Sequence, residues 1–570
     1  MTLDIAKRAM RAQQSALLVV GHNISNVNTL GFSRQKVVLE SSTPLPTDFG
    51  LIGNGVETGS IMRVYDRYVE SQISEETEGL GKWNAKRETL ERVEAIFNES
   101  SDYGLNNAMN EFWNAWHNLA NNPTGQAERT TLISRGGTLV TTLNDQYANI
   151  RQVQDDLNSN IRGTLGEINI IADQIAELNN KILAAETSGS QAGDYRDART
   201  SLINELSGKI NINYYENPGG MLTIMVGEGR LLVDGYSSWD LQGEVNVSNN
   251  GFLDVKWDTG NGADLVDITS DISGGELDGW LELRDVTIED YKSRLNTFAK
   301  EIIEEVNSLH SGGVGLDGYG DLTGSFAVDN TANPLNSAGL PFTPQTGSVT
   351  IEVMDSTETV VNSYSINVDP TSESLDNLVT NINAALSSGG SELVAEATAN
   401  GELRIYTNAG FSDHSFVFTS DSGGTLMALG VNTFFTGYDA STIGINPVVE
   451  NDVNKIAAAT SSESPGDNTN ALAIAALENS LLMESGTSTL GDYYNSIVSE
   501  IGVESQKASS MSGHQELMVK QLENQRSSIS GVSLDEEMMN LIKYQNAYMA
   551  ATRLVSVVDE MLAAMLEMVR

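Results

Sequence analysis

Apolar residues recur every seven positions at the start of the chain, at Leu3, Met10, Leu17 and Ile24. Ala6, Val20 and Val27 fill the intermediate positions, and Gln13 interrupts them. Such a stripe predicts an amphipathic, coiled-coil-like helix over residues 2–28. The stretch NISNVNTLGFSRQ then supplies a turn at Asn23, Asn26, Asn28, Gly31 and Phe32. Asn28 and Gly31 both tolerate the left-handed backbone, so the helix is expected to stop there. Residues 32–75 read as extended, with turn glycines among β-branched residues.

The other end carries a matching pattern. Leu541, Tyr548, Val555 and Leu562 fall every seven residues, and Tyr544, Ala551, Val558 and Met565 form a second seam position. Ser533, followed by Asp535 and Glu536, suits a helix start. Residues 1–28 sum to +2 and residues 533–570 to −3, so the two ends attract. Each helix also has apolar residues off its seam, such as Leu18, Val19, Leu554 and Met561, and a stripe too wide for one partner calls for more.

Between the ends the texture alternates. Residues 76–120 read as helix, with Phe112, Trp113 and Trp116 as core. A longer helical region runs to about 186, its apolar face marked by Ile150, Leu157, Ile161, Leu165, Ile168, Ile171, Ile175, Leu178 and Ile182. From about 210 to 272 short glycine-punctuated stretches read as strands. A helix returns from Gly279, with Leu281, Ile288, Leu295, Ile302 and Leu309 at heptad spacing. Residues 325–450 are again β-rich, interrupted by a helix at 373–387, and the tail from 468 is helical.

The order α, β, α, β, α predicts an α+β multidomain protein. Its discontinuous helical core is built from both chain ends, as paired terminal helices plus a helical bundle, with two β-rich domains inserted. The expected partition is a terminal helix pair (1–31 with 533–570), a mainly helical core (32–208 with 273–324 and 451–532), and β-rich insertions at 209–272 and 325–450.

Composition narrows the function. Against 33 Lys and Arg stand 77 Asp and Glu, a formal charge of −44. That disfavours nucleic acid and anionic membrane as partners, since both need a basic face. With no cysteine there is no disulfide, thiolate metal site or cysteine nucleophile. Five histidines are scattered without ligand spacing. No apolar run approaches the roughly 18 residues of a membrane-spanning helix, and none resembles the core of a cleaved leader. The expectation is a chain that is cytosolic, or exported without a cleaved signal.

The stretch GLDGYGDLTG at 315–324 places acids among glycines, as calcium loops do. It lacks the alternating acidic spacing and the closing glutamate of such a loop. Carboxylates are abundant but unpatterned, and no nucleophile has a motif around it. Catalytic, cofactor and metal sites are therefore none in this reading, and the protein is expected not to be an enzyme.

Here the residues carry a resemblance. NISNVNTLGFSRQ resembles the N-terminal signature of the bacterial flagellar rod, hook and hook-associated axial proteins. LDEEMMNLIKYQNAYMAATRLVSVVDEML resembles their C-terminal signature. GVETGSIMRVYDRYVESQI, NEFWNAWHNLANNPTGQAERTTLISRGGTLVTTLN and GELDGWLELRDVTIEDYKSRLNTFAKEIIEEVNSLHSGG look like the hook-associated members. Leu30 and Phe32 stand where the family usually has proline and tyrosine.

The resemblance implies a structural role at the junction of hook and filament, in a ring of like subunits. It implies the hook protein, a second junction protein and filament-side subunits as partners. It also implies type III export, with a chaperone covering the C-terminal helix. The assembly residues would be Leu3, Met10, Leu17 and Ile24 at one end and Leu541, Tyr548, Val555 and Leu562 at the other. The alternatives are another flagellar axial polymer, hook protein or flagellin-like, or a secreted adhesin or enzyme.

Overall fold

The computed structural model describes residues 2–48, 50–98, 104–187, 191–260, 264–464 and 466–568. The chain forms two compact units. One comprises Met1–Leu90, Asp155–Val286 and Ser505–Arg570, and the other Glu91–Gln154 and Thr287–Glu504. All boundaries between them fall inside helical elements: Arg67–Ile96, Gln126–Glu186, the π-turn Leu283–Thr287, and Leu490–Ser530.

In the first unit the N-terminal helix, Thr2–Ser25, is shorter than its apolar stripe suggested. After the turn, strand Gln35–Ser41 pairs antiparallel with Val56–Arg63. A small ribbon, Leu45–Thr47 with Gly50–Ile52, caps this hairpin. The expected extended region to residue 75 is cut short, because a helix begins at Arg67. Asp66 is the physical reason: its carboxylate accepts from the backbone N–H of Tyr68 at 2.9 Å, as an N-cap does.

Two antiparallel sheets follow, one of four strands over residues 212–238 and one of three over 241–267. They share one core with helix Gln126–Glu186 and with helix Gly193–Lys209, which supplies Ile203 and Leu206. Ile161, Leu165, Ile168, Ile171 and Ile175 pack with Ile224, Val226, Leu232, Val233 and Val255. The 3–4 spacing of the isoleucines thus marks the face on which these sheets lie. Polar residues stitch the same seam. Asn179 donates to the carbonyls of Leu222 and Gly235 and accepts from Leu222 N–H. Asn169 donates to and accepts from the backbone of Leu241.

The helix expected from Gly279 starts at Gly275 and passes through a π-turn at Leu283–Thr287. That turn carries Arg284, whose buried guanidinium is held by Asp285, Asn158 and the carbonyl of Leu253.

In the second unit, Phe112, Trp113 and Trp116 are buried. Phe112 and Trp116 pack on Phe434, with Phe112 also meeting Phe435. Asn307 fixes this aromatic segment: its carbonyl accepts from Phe434 and Phe435 N–H, and its amide donates to Phe435 O. His310 is fully buried, bonded to Asn432 O and Ala457 N–H, and burial pushes its pKa down to about 4.

Beyond it lies a β-rich lobe. Strand Gly347–Met354 sits between Val360–Val368 and Ser415–Asp421, and Leu403–Thr407 sits between Asp321–Thr323 and Leu393–Ala397. Helix Leu375–Ser387, capped by Ser374, closes its core. Within the acidic stretch 315–324, Asp317 accepts from Asn454 and Asp321 pairs with Arg404. The helical tail is interrupted: Thr469–Ala476 is followed by irregular chain before Leu490–Ser530 and Leu534–Met568.

Candidate functional site: the paired chain ends

The two termini pack against each other. The N-terminal helix has 24 residues and the C-terminal helix, Leu534–Met568, has 35. Ala16 and Val19 meet Val37 of the first strand, with Leu39, Ile61 and Tyr544 around them. Asn23 lies beside Glu537. Late residues of one helix therefore face early residues of the other, and the pair is antiparallel.

The buried residues of the N-terminal helix are Ala6, Ala12, Ala16, Val19, Val20 and Asn23. The heptad residues lie to one side of this face: Met10, Leu17 and Ile24 are half-buried and Leu3 is exposed. On the C-terminal helix only Glu537 and Ala551 are buried among the described residues. Leu541, Tyr548 and Val555 are half-buried and Leu562 is exposed. Small residues line the contact because two helices approach closely only where side chains are short; the large ones flank it.

The turn that follows is built on Asn23. Its amide donates to Gln35 O and its carbonyl accepts from Gln35 N–H, both at 2.9 Å. The same amide donates to Glu537 at 3.2 Å. One side chain thus ties helix, strand and partner helix together. Asn26 caps the helix end by donating to His22 O, and its own carbonyl accepts from Thr29. Gly31 has φ +77°, with open space where a Cβ would stand. Strain alone therefore demands glycine there. Asn28 is exposed and does not adopt positive φ. Phe32 is half-buried, edge-on to His22.

Residues not singled out in the sequence complete the site. Asp197 accepts from Ser33 N–H at 2.8 Å and pairs with Arg63 at 2.7 Å, both side chains buried. Asp194 accepts from Gln35 and His22. Arg34 N–H donates to Ser530 O, and its guanidinium pairs with Glu536 at 2.6 Å. The aspartates lie 159 to 172 residues from the His22, Ser33 and Gln35 groups they hold, and no local pattern marks them.

The polar side chains of the site serve to hold the turn. The site also offers an apolar surface. Exposed large residues crowd the C-terminal helix: Met538, Met539, Ile542, Met549, Leu554, Val557, Met561, Leu562, Met565, Leu566 and Met568. No helix among the described residues is long and apolar enough to cross a membrane. An exposed apolar row of this size is a surface for interaction.

Known proteins share these features in order. Residues 3–32 match the flagella basal body rod protein family, and residues 518–568 match the flagellar basal body rod FlgEFG protein C-terminal family. Residues 90–326 match the flagellar hook-associated protein FlgK helical domain. Flagellar hook-associated protein 1 of Bacillus subtilis is 26% identical over 99% of this chain and 97% of its own length. That of Escherichia coli is 26% identical over 99% of both. The flagellar hook junction protein FlgK of Burkholderia pseudomallei has the same fold, with TM-score 0.55 and 16% identity, covering 81% of this chain and 100% of its own.

The paired ends match the terminal segments of bacterial flagellar axial proteins, a structural class. Within that class the chain is similar along nearly its whole length to hook-associated protein 1, and residues 90–326 match the helical domain of FlgK.

Proposed function

We propose that this chain is a structural subunit of the hook–filament junction, where copies assemble into a short ring through their paired ends. The observation that carries this reading is the likeness to hook-associated protein 1 along 99% of the chain, ends included. The exposed apolar row on the C-terminal helix supports it. The terminal pair, 1–31 with 533–570, is the axial domain in this reading, and the β-rich segments 209–272 and 325–450 are outward insertions on a helical core. Leu3, Met10, Leu17 and Ile24, with Leu541, Tyr548, Val555 and Leu562, flank the contact between the helices and are the surface offered to neighbours.

The partners are like subunits, the hook protein, the second junction protein and filament-side subunits. The chain acts as a scaffold, with no catalytic residue. It reaches its place by type III export, and a chaperone shields the C-terminal helix until then, because the apolar row would otherwise aggregate.

The test is a mutant lacking this protein. Bare hooks, with filament subunits shed into the medium, are the expected result; filaments still attached would overturn the reading. Loss of the hooks themselves would instead favour a hook-protein role. For the chaperone, a small cytosolic partner should be retained by the full chain and lost from a chain ending at Ser530.

A further inference from the structure

The two terminal helices differ in length by 11 residues. Asn23 bonds Glu537, and Tyr544 packs beside Ala16 and Val19. In both contacts the residue numbers sum to about 560, so Thr2 falls level with position 558. The last turns of the C-terminal helix therefore run past the described start of their partner. Burial agrees: Val558 is half-buried and every described residue from Asp559 to Met568 is exposed. The overhang is about 15 Å at 1.5 Å per residue. It bears Met561, Leu562, Met565, Leu566 and Met568, together with Asp559, Glu560 and Glu567, and neither lysine nor arginine. Glu560 and Glu567 are seven residues apart and form one acidic stripe beside Met561 and Met568.

A groove of about 320 Å³ lies between the helices and the first strand, but the pair itself fills its walls. A larger one, about 730 Å³, opens on the outer side of the N-terminal helix, toward the strand hairpin. Lys7, Arg8 and Arg11 line it together with Asp4 and Glu57, with Ser15 beyond them and Leu45 and Val56 as apolar wall. Arg8 pairs with Glu57, Asp4 lies within the electrostatic reach of Lys7 and Arg8, and Lys7 and Arg11 are exposed. Three cations against two carboxylates leave this partly apolar recess net positive, in a chain of net charge −44. The overhang is acidic and apolar. In the antiparallel register it runs on past Thr2, away from residues 4–15 of its own chain.

We propose that the projecting segment Asp559–Met568 docks in this groove on a second copy of the chain. Asp559, Glu560 and Glu567 face Lys7 and Arg11 of the receiving copy, and the methionines and leucines cover the apolar wall at Leu45. The inference rests on the proposed self-assembly and specifies its contact. Each copy holds one groove and one overhang, so the contact is heterologous and repeats from subunit to subunit, as a ring requires.

The absence of cysteine gives a clean test. Full-length chains carrying Ser15→Cys and others carrying Met565→Cys are co-expressed, and isolated flagella are treated with a short bismaleimide. A cross-linked dimer is expected from this mixture, and none when Met565→Cys is replaced by Val247→Cys, an exposed position in the first insertion. Lys7→Glu with Arg11→Glu should lower junction formation at least tenfold at unchanged secretion, and adding Asp559→Lys with Glu560→Lys in the same chain should restore it. Assembled protein that gives no dimer, or a Lys7→Glu/Arg11→Glu chain that assembles normally, overturns the docking and leaves the junction reading standing. Filaments attached without the protein would overturn both.

Discussion

At the scale of single residues, a helical asparagine repeatedly does the work of a strand. Asn23 gives Gln35 both a donor and an acceptor, Asn169 does so for Leu241, Asn179 for Leu222, Asn307 for Phe435 and Asn383 for Ala395. A strand edge or loop leaves an N–H and a C=O side by side, and a carboxamide matches both. Aspartate has the shape but no donor. Asn23→Asp should therefore set a carboxylate against Gln35 O and the buried Glu537, at about 3 kcal/mol or more. Amide exchange over 2–25 and 534–558 should rise at least tenfold; unchanged protection would show that the clamp is dispensable. Gly31→Val should loosen the same turn, because a β-branched residue resists φ +77°, and normal junction formation by that variant would argue against it.

Glu78 offers a pH test. Burial and the charges of Glu75 and Asp278 raise its pKa to about 7, with Lys82 engaged by Asp278. The folded state therefore holds this proton after the unfolded chain has lost it, so stability falls as pH rises from about 4.5 to 7. Glu78→Gln should be more stable than the parent at pH 8 by about 1 kcal/mol, a figure discounted for partial exposure. Near pH 4 the difference should vanish. Thermal melts at both values decide it; equal gains at both would refute the assignment.

At the scale of elements, long periodic segments were legible and their facing was not always so. The isoleucine series of Gln126–Glu186 marks its buried face well: Ile150, Leu157, Ile161, Leu165, Ile168, Ile171, Ile175 and Ile182 are all buried. The N-terminal heptad marks the flank of its contact, because a hydrophobic pattern weights large residues and the contact uses Ala6, Ala12 and Ala16. Asp66 was a usable signal for the helix at Arg67, hidden by the β-branched residues around it. Asp194 and Asp197 gave none, since only the folded chain brings them to the turn.

The same distinction predicts two kinds of variant. Leu562→Asp falls on an exposed site and should leave the main thermal transition within about 0.5 kcal/mol of the parent. Val555→Asp should do nearly as little, and both should abolish junction formation. Ile175→Asp buries a charge in the shared helix–sheet core and should cost about 4 kcal/mol or more. Calorimetry and a filament-attachment assay on all three separate folding from assembly. A monomer unfolded by Leu562→Asp, or a normal filament on it, would reject the role given to this helix.

At the scale of the whole molecule, charge opposes assembly. Each copy carries −44, and repulsion between copies reaches about 30 Å at 0.01 M salt but about 10 Å at 0.1 M. Exposed ion pairs between copies return only about 0.2–1 kcal/mol each. The long-range term should win at low salt. Self-association, followed by sedimentation, should therefore strengthen as ionic strength rises from about 0.01 to 0.1 M; a steady weakening would mean that local pairs dominate. The alternation of helical and β-rich segments was readable from the chain. The merging of residues 212–258 into one core with helix Gln126–Glu186 was not, because that depends on which face the sheets choose.

The bond between Asn23 and Glu537 joins a residue made early to one made 514 positions later. A chain broken off anywhere before Glu537 leaves this carboxamide a partner short and the helix before it uncovered. The fold thereby proofreads its own length: a truncated product displays a loose first helix, open to proteases, and has no second helix to offer a neighbour. The contact that a complete subunit makes between its ends is one that an incomplete subunit lacks.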